Sequence, residues 1–200
     1  MKTPALPVMV AAAAIALMPG IALAHTGVGD TSGFSHGFVH PLTGIDHLLA
    51  MMMVGVFAWQ LGGRALWLVP LTFVLVMAIG GAFGVAGVSI PFVETGIALS
   101  VIVLGAAVAF RLSMPVAIAV ALVGLFAVFH GHAHGEEMPE NAAGLAYGLG
   151  FMLATAALHL AGIGLGFLIG QIADERGPAV VRIMGGVVAV AGLALLGGLI

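Results

Sequence analysis

Six apolar stretches, at about 41–61, 65–87, 91–110, 114–130, 142–170 and 179–199, make up most of this chain, and none holds more than one Asp, Glu, Lys or Arg. Crossing a hydrocarbon core of about 30 Å takes roughly 20 helical residues, so each stretch is of spanning or near-spanning length. The composition agrees: with 62% hydrophobic and 6% charged residues, the chain has too few charges to cover a water-facing surface. The fold class is therefore all-α and integral to the membrane, with six transmembrane helices. Gly62-Gly63, Pro91, Pro115 and Gly177-Pro178 punctuate the stretches. The connections are short, so neighbours in sequence run antiparallel and no soluble domain intervenes. Whatever chemistry the chain performs lies in the bilayer or at its surface.

Several functions are excluded on composition. A net charge of −3 with scattered arginines offers no basic surface for nucleic acid. The absence of cysteine removes disulfides, thiolate metal sites and iron–sulfur clusters. Lys2 is the only lysine and no G-x-x-x-x-G-K-[ST] string occurs, so the chain does not hydrolyse ATP through a Walker motif.

Residues 1–24 carry Lys2, an apolar run from Val8 to Met18, the break at Pro19-Gly20 and then Ala22-Leu23-Ala24, the pattern of a cleaved secretory signal. The mature chain then starts at His25, and residues 25–200 form a single six-helix domain behind a polar lead from Thr26 to Val39. A cleaved signal leaves the mature N-terminus outside. On that topology Arg64, Arg111, Arg176 and Arg182 all fall on the cytoplasmic side, as the positive-inside rule expects, and both termini lie on the outer side. Gly80 and Gly84, Gly144 and Gly148, and Gly162, Gly166 and Gly170 have the small-residue spacing of helix contacts, which also suits contact with a second copy of the chain.

Polar residues are costly in such a chain, about 2.5–3.5 kcal/mol for a charged group at the centre of a spanning helix, which makes their positions informative. One group is His36-Gly-Phe-Val-His40-Pro41-Leu-Thr-Gly-Ile-Asp46-His47, at the outer end of the first stretch. With Pro41 at the first helical position, His40 and His47 share a helix face to within about 20°, and Asp46 either ligates or accepts the Nδ1 proton of a neighbouring ring. A second group, Phe129-His130-Gly131-His132-Ala133-His134-Gly135-Glu136-Glu137, leaves the outer end of the fourth stretch. A continued helix puts His130, His134 and Glu137 on one stripe, whereas Gly131 and Gly135 favour an opened turn. On either reading, neutral imidazoles and carboxylates suit nickel, cobalt, zinc or copper(II). Glu94 is a further carboxylate at the same level.

Other residues have competing readings. His132 and Glu136 are either ligands or a solvated linker. His159 is either an interhelical hydrogen-bond partner or a relay. Met51 could offer a thioether from one turn beyond His47 but more commonly fills a core, and His25 could chelate as a new N-terminus. Bound metal requires deprotonated ligands, so acid should weaken uptake.

The strings HPLTGIDH and FHGHAHGEE resemble the two signatures of the HupE/UreJ family of bacterial nickel permeases, and the likeness extends over the whole chain. It implies a secondary-type permease of the bacterial inner membrane for nickel, with cobalt as the second cargo, serving hydrogenase or urease metallocentre assembly. The ion is substrate and no cofactor is permanently bound. The family motifs correspond to His40, Asp46 and His47, and to His130, His134 and Glu137, with Glu94 as the family's acidic position. Two other classes compete. An intramembrane metal hydrolase lacks its H-E-x-x-H motif here, and a copper(I) handler would depend on Met51, Met52 and Met53.

Overall fold

A computed structural model describes residues 33–138, 142–172 and 176–200. The signal segment and His25 lie outside the described residues. Those described form seven helices: α1 (Phe34–Thr43), α2 (Ile45–Leu61), α3 (Ala65–Val85), α4 (Val93–Ala109), α5 (Val116–Glu136), α6 (Ala142–Ile172) and α7 (Gly177–Leu196). The architecture is all-α. Among these helices α3, α5, α6 and α7 are long and apolar enough to cross a membrane, and the pair α1–α2 makes a fifth candidate bent by 84°. At 17 residues, α4 is apolar but short, about 25 Å at 1.5 Å per residue.

The bend corrects the expectation for the first stretch. The polar lead is in part helical, and His40 and Pro41 lie inside α1 rather than opening the spanning helix. The helix ends at Thr43, whose Oγ1 donates to the His40 carbonyl at 2.8 Å. It restarts after Gly44, which has extended backbone (φ −81, ψ 116). Asp46 and His47 consequently sit in the first turn of α2, and His40 faces them from a different helix instead of sharing their stripe. A side chain at Gly44 would collide with the Asp46 carboxylate, which folds back over this point. The glycine therefore provides both the corner and the space.

At the centre lies α2, in contact with all six other helices and burying Met51, Val54, Val56 and Phe57 completely. Around it the long helices meet in close pairs where glycine removes the side chain from the seam. Gly80 and Gly84 of α3 press on the α5 backbone, and Gly131 and Gly135 of α5 press back on Met77 and Gly81. Gly55 of α2 meets Gly162 of α6, and Gly105 of α4 meets Gly185 of α7. Lipid gives helices no hydrophobic reason to associate, so this close backbone packing supplies the cohesion. Of the expected glycine faces, Gly80, Gly84 and Gly162 abut backbone and Gly166 abuts the Trp59 ring, while Gly148 and Gly170 have looser neighbours. Outward-facing Trp67, Leu75, Ile79, Leu149, Leu160 and Val190 leave an apolar perimeter of the kind lipid covers.

The contact registers fix direction. Gly80 lies against Val128 and Gly84 against His132, so α3 and α5 run parallel; Gly55 and Trp59 follow Gly162 and Gly166, so α2 and α6 do too. Gly105 and Gly185 lie in an antiparallel register, and Arg182 of α7 donates from Nε to the Ala109 carbonyl at 3.2 Å. The start of α2 meets the end of α5. The histidines of α1, α2 and α5 thus collect at one end of the bundle, opposite the ends that carry Arg64, Arg111 and Arg182.

Candidate metal centre

The second histidine group resolves as helix: α5 continues through His130, His132 and His134 to Glu136. Of the two readings, continued helix and opened turn, the first holds: the helix-breaking tendency of Gly131 and Gly135 is overridden where α3 packs closely on both. A Cβ on Gly131 would strike the Met77 carbonyl, and one on Gly135 would strike that of Gly81. Each glycine costs about 1 kcal/mol in helix propensity, and the close contact of two helices offsets it.

Continuation of α5 lowers His134 into the corner made by α1 and α2. His40, His134 and Glu137 each place a ligand atom within 4.8 Å of the others, an arrangement able to hold a metal ion. His47 joins them, with its Nε2 2.7 Å from His134 Nε2. Three helices thus bring together residues up to 97 positions apart in sequence.

Proton positions follow from the partners. Ionised Asp46 is acceptor-only, and its Oδ1 lies 2.9 Å from His47 Nδ1 and accepts the His47 backbone N–H at 2.7 Å. His47 therefore carries its proton on Nδ1 and presents a bare Nε2 to the cluster, toward which His134 donates from its own Nε2. Between the two readings of Asp46, the geometry favours the orienting carboxylate behind a ligand imidazole. The positive end of α2 helps hold this anion in the first turn.

Deeper in, His130 is fully buried with its ring 4.7 Å from that of His47. Its Nε2 lies 2.8 Å from Ser100 Oγ, whose own hydrogen goes to the Ile97 carbonyl at 2.6 Å. Of the residues with competing readings, His132 turns away from the cluster: its Nε2 is 2.6 Å from the Val88 carbonyl and its Nδ1 3.6 Å from Glu136. His36 sits one turn before His40, rings 6.1 Å apart. Met51 is buried in the hydrophobic core, the commoner role for methionine.

Glu94, in the first turn of α4, is exposed. It lines a pocket of about 410 Å³ with Phe92, Thr95, Ala133, Glu136 and Glu137. Phe92 enters α4 in the left-handed region (φ 61), a strain of about 1–2 kcal/mol for a non-glycine residue, just where the chain turns Glu94 into this pocket. Glu137 belongs to both groups and joins the acidic pocket to the imidazoles behind it.

Sequence reasoning missed the second face of the cluster. The Phe151 ring lies 4.2 Å from that of His134, and Tyr147, one turn earlier on α6, lies 6.0 Å from His40. Tyr147 is the only tyrosine in the chain and Ser100 is an isolated hydroxyl in an apolar helix, so rarity was the available signal.

Comparison with known proteins fits this arrangement. Residues 13–195 match the family described as HupE / UreJ protein. The curated Protein HupE of Rhizobium leguminosarum bv. viciae is 48% identical over 186 residues, covering 93% of this chain and 95% of that protein. No solved structure gives a significant match. With a family match over most of its length and a relative this similar, the chain belongs to the HupE/UreJ family and is a metal permease rather than an enzyme.

Proposed function

We propose that this chain is a secondary-type permease that takes up nickel, with cobalt as the second cargo, across the bacterial inner membrane to supply hydrogenase or urease metallocentre assembly. The observation that carries the reading is the meeting of His40, His134 and Glu137 within 4.8 Å, beside His47. Imidazole nitrogen and carboxylate oxygen are ligands suited to nickel(II) and cobalt(II), whereas Met51 and Met53 are packed in the hydrophobic core, the commoner role for methionine.

On this reading the histidine end faces outward and the arginine end faces the cytoplasm, with α2 and α4 completing six spans after the signal is removed at Ala24. Both termini then lie in the periplasm. A hydrated cation enters the pocket of Glu94, Glu136 and Glu137, Glu137 passes it inward, and His40, His134 and His47 replace its waters. Protons compete for the same lone pairs, so uptake falls as the external solution is made more acidic.

The test is accumulation of radiolabelled nickel in cells lacking other nickel importers, with cobalt, copper and zinc as competitors. Nickel should accumulate well above the empty-vector control and cobalt should compete best; no accumulation of either metal would reject the proposal. Asp46→Asn should lower uptake about 10- to 100-fold, the usual effect of losing an orienting carboxylate, because an amide can flip and force His47 into the wrong tautomer. Unchanged uptake in that variant would remove Asp46 from the centre.

A further inference from the structure

Behind the outer cluster the imidazoles continue inward. Ring centroids succeed one another from His40 to His134 at 4.8 Å, to His47 at 4.5 Å, to His130 at 4.7 Å, to Phe73 at 5.6 Å and to His159 at 5.2 Å. His159 is fully buried in the middle of α6, and neither of its ring nitrogens has a hydrogen-bond partner. Its backbone abuts Gly55 of α2, eight residues beyond His47, which places it about 12 Å deeper along the helix axis.

His130 packs on Phe73 as well, with ring centroids 5.6 Å apart. Ser100 gives its hydrogen to Ile97 and therefore accepts the Nε2–H of His130. The remaining nitrogen, Nδ1, is buried and unpartnered. Thr155, one turn before His159, and Met77, one turn after Phe73, also meet here, with Thr155 Oγ1 3.8 Å from the Met77 sulfur. Two fully buried imidazoles with bare nitrogens are costly in a membrane interior unless something else uses those lone pairs. The expected hydrogen-bond role of His159 is not what the described residues show.

Resting on the reading of the chain as a metal permease, we propose that His159 and His130 form a second, inner station that holds the divalent cation after it leaves the outer cluster. The Phe73 ring packs on both imidazoles of this station, and its occupancy is occlusion: the ion has left the reach of external solvent.

The experiment uses the full chain in proteoliposomes, with a downhill nickel gradient and an internal nickel-sensitive dye, and measures release of bound nickel to added EDTA in nanodiscs. Wild-type protein should release nickel in a fast phase and a slow phase. His159→Leu, which replaces an unpartnered polar ring by an apolar side chain, should melt no lower than wild type and keep the fast phase. It should lose the slow phase, and transport should fall at least about tenfold. Transport within about twofold of wild type, or a slow phase that persists, overturns the inner station. A substantially lower melting temperature in this variant also overturns it, by marking His159 as a packing residue. A wild-type chain that binds and moves no nickel rejects the permease reading itself, and the inner station with it.

Discussion

Replacing His134 by alanine is expected to reduce nickel uptake to the background of cells without the permease, a loss of roughly 100-fold or more, the upper range for disrupting a metal centre. His134 shares a hydrogen bond with His47, completes the three-residue group with His40 and Glu137, and packs on Phe151. Its removal leaves His40 on α1 with no nitrogen facing it from α5, and leaves His47 Nε2 without its partner. The side chain is 4% exposed, so truncation also opens a cavity and a stability effect must be separated from a ligand effect. His134→Gln, which nearly preserves volume and a polar terminus, makes the separation: it should leave the amount of protein in the membrane unchanged and still lose most nickel binding. Wild-type uptake in either variant would move the ion path away from this cluster.

How far the sequence disclosed this centre depended on what each signal measures. The apolar, helical character of the chain was legible because lipid imposes one requirement along the whole length of a span, which four helices and one bent pair among the described residues meet. His40, Asp46, His47, His134 and Glu137 stood out because charged or ionisable groups are rare in such stretches. Their mutual placement was not legible. It depends on the corner at Gly44, and a glycine between apolar residues has the same local signature whether a helix continues, kinks or stops. Reading Pro41 as the start of a helix was sound locally, since proline suits that position, yet α1 accepts it near its own C-terminal end. The partners on α4 and α6, Ser100, Tyr147 and Phe151, became visible only through packing, because one hydroxyl or one aromatic ring in an apolar helix has no spacing to interpret.

A common device places both candidate acid groups. Asp46 and Glu94 each stand in the first turn of a helix that leads away from the histidine end, where the helix dipole favours an anion. The backbone thus helps to stabilise both carboxylates, of which Asp46 orients the His47 ring and Glu94 lines the acidic pocket. Glu137, just past the C-terminal end of α5, lacks that support and lies instead against His134, with 3.9 Å between Oε2 and Nδ1. It is the residue shared by the acidic pocket and the cluster.

The glycines of α5 give the second large effect. Gly131→Ala is expected to remove most correctly folded protein and all measurable uptake, although it deletes no ligand and improves helix propensity. The added methyl group would meet the Met77 carbonyl and the Gly81 backbone nitrogen, neither of which can move aside by changing rotamer. α3 and α5 would have to separate, and overpacking of this kind costs about 1–3 kcal/mol or more. Separation also displaces His130, next to Gly131 on α5, and His134, three residues beyond it. Gly164→Ala on α6 and Gly186→Ala on α7 provide the control, since a Cβ at either position meets nothing within 4 Å. Those changes should be neutral or stabilising by up to about 1 kcal/mol, because alanine is the better helix former. Thermal melts of the three variants in one detergent, with uptake measured in parallel, decide the matter. If Gly131→Ala melts with the other two, the closeness of α3 and α5 does not position the histidines, and helix propensity alone accounts for the glycines.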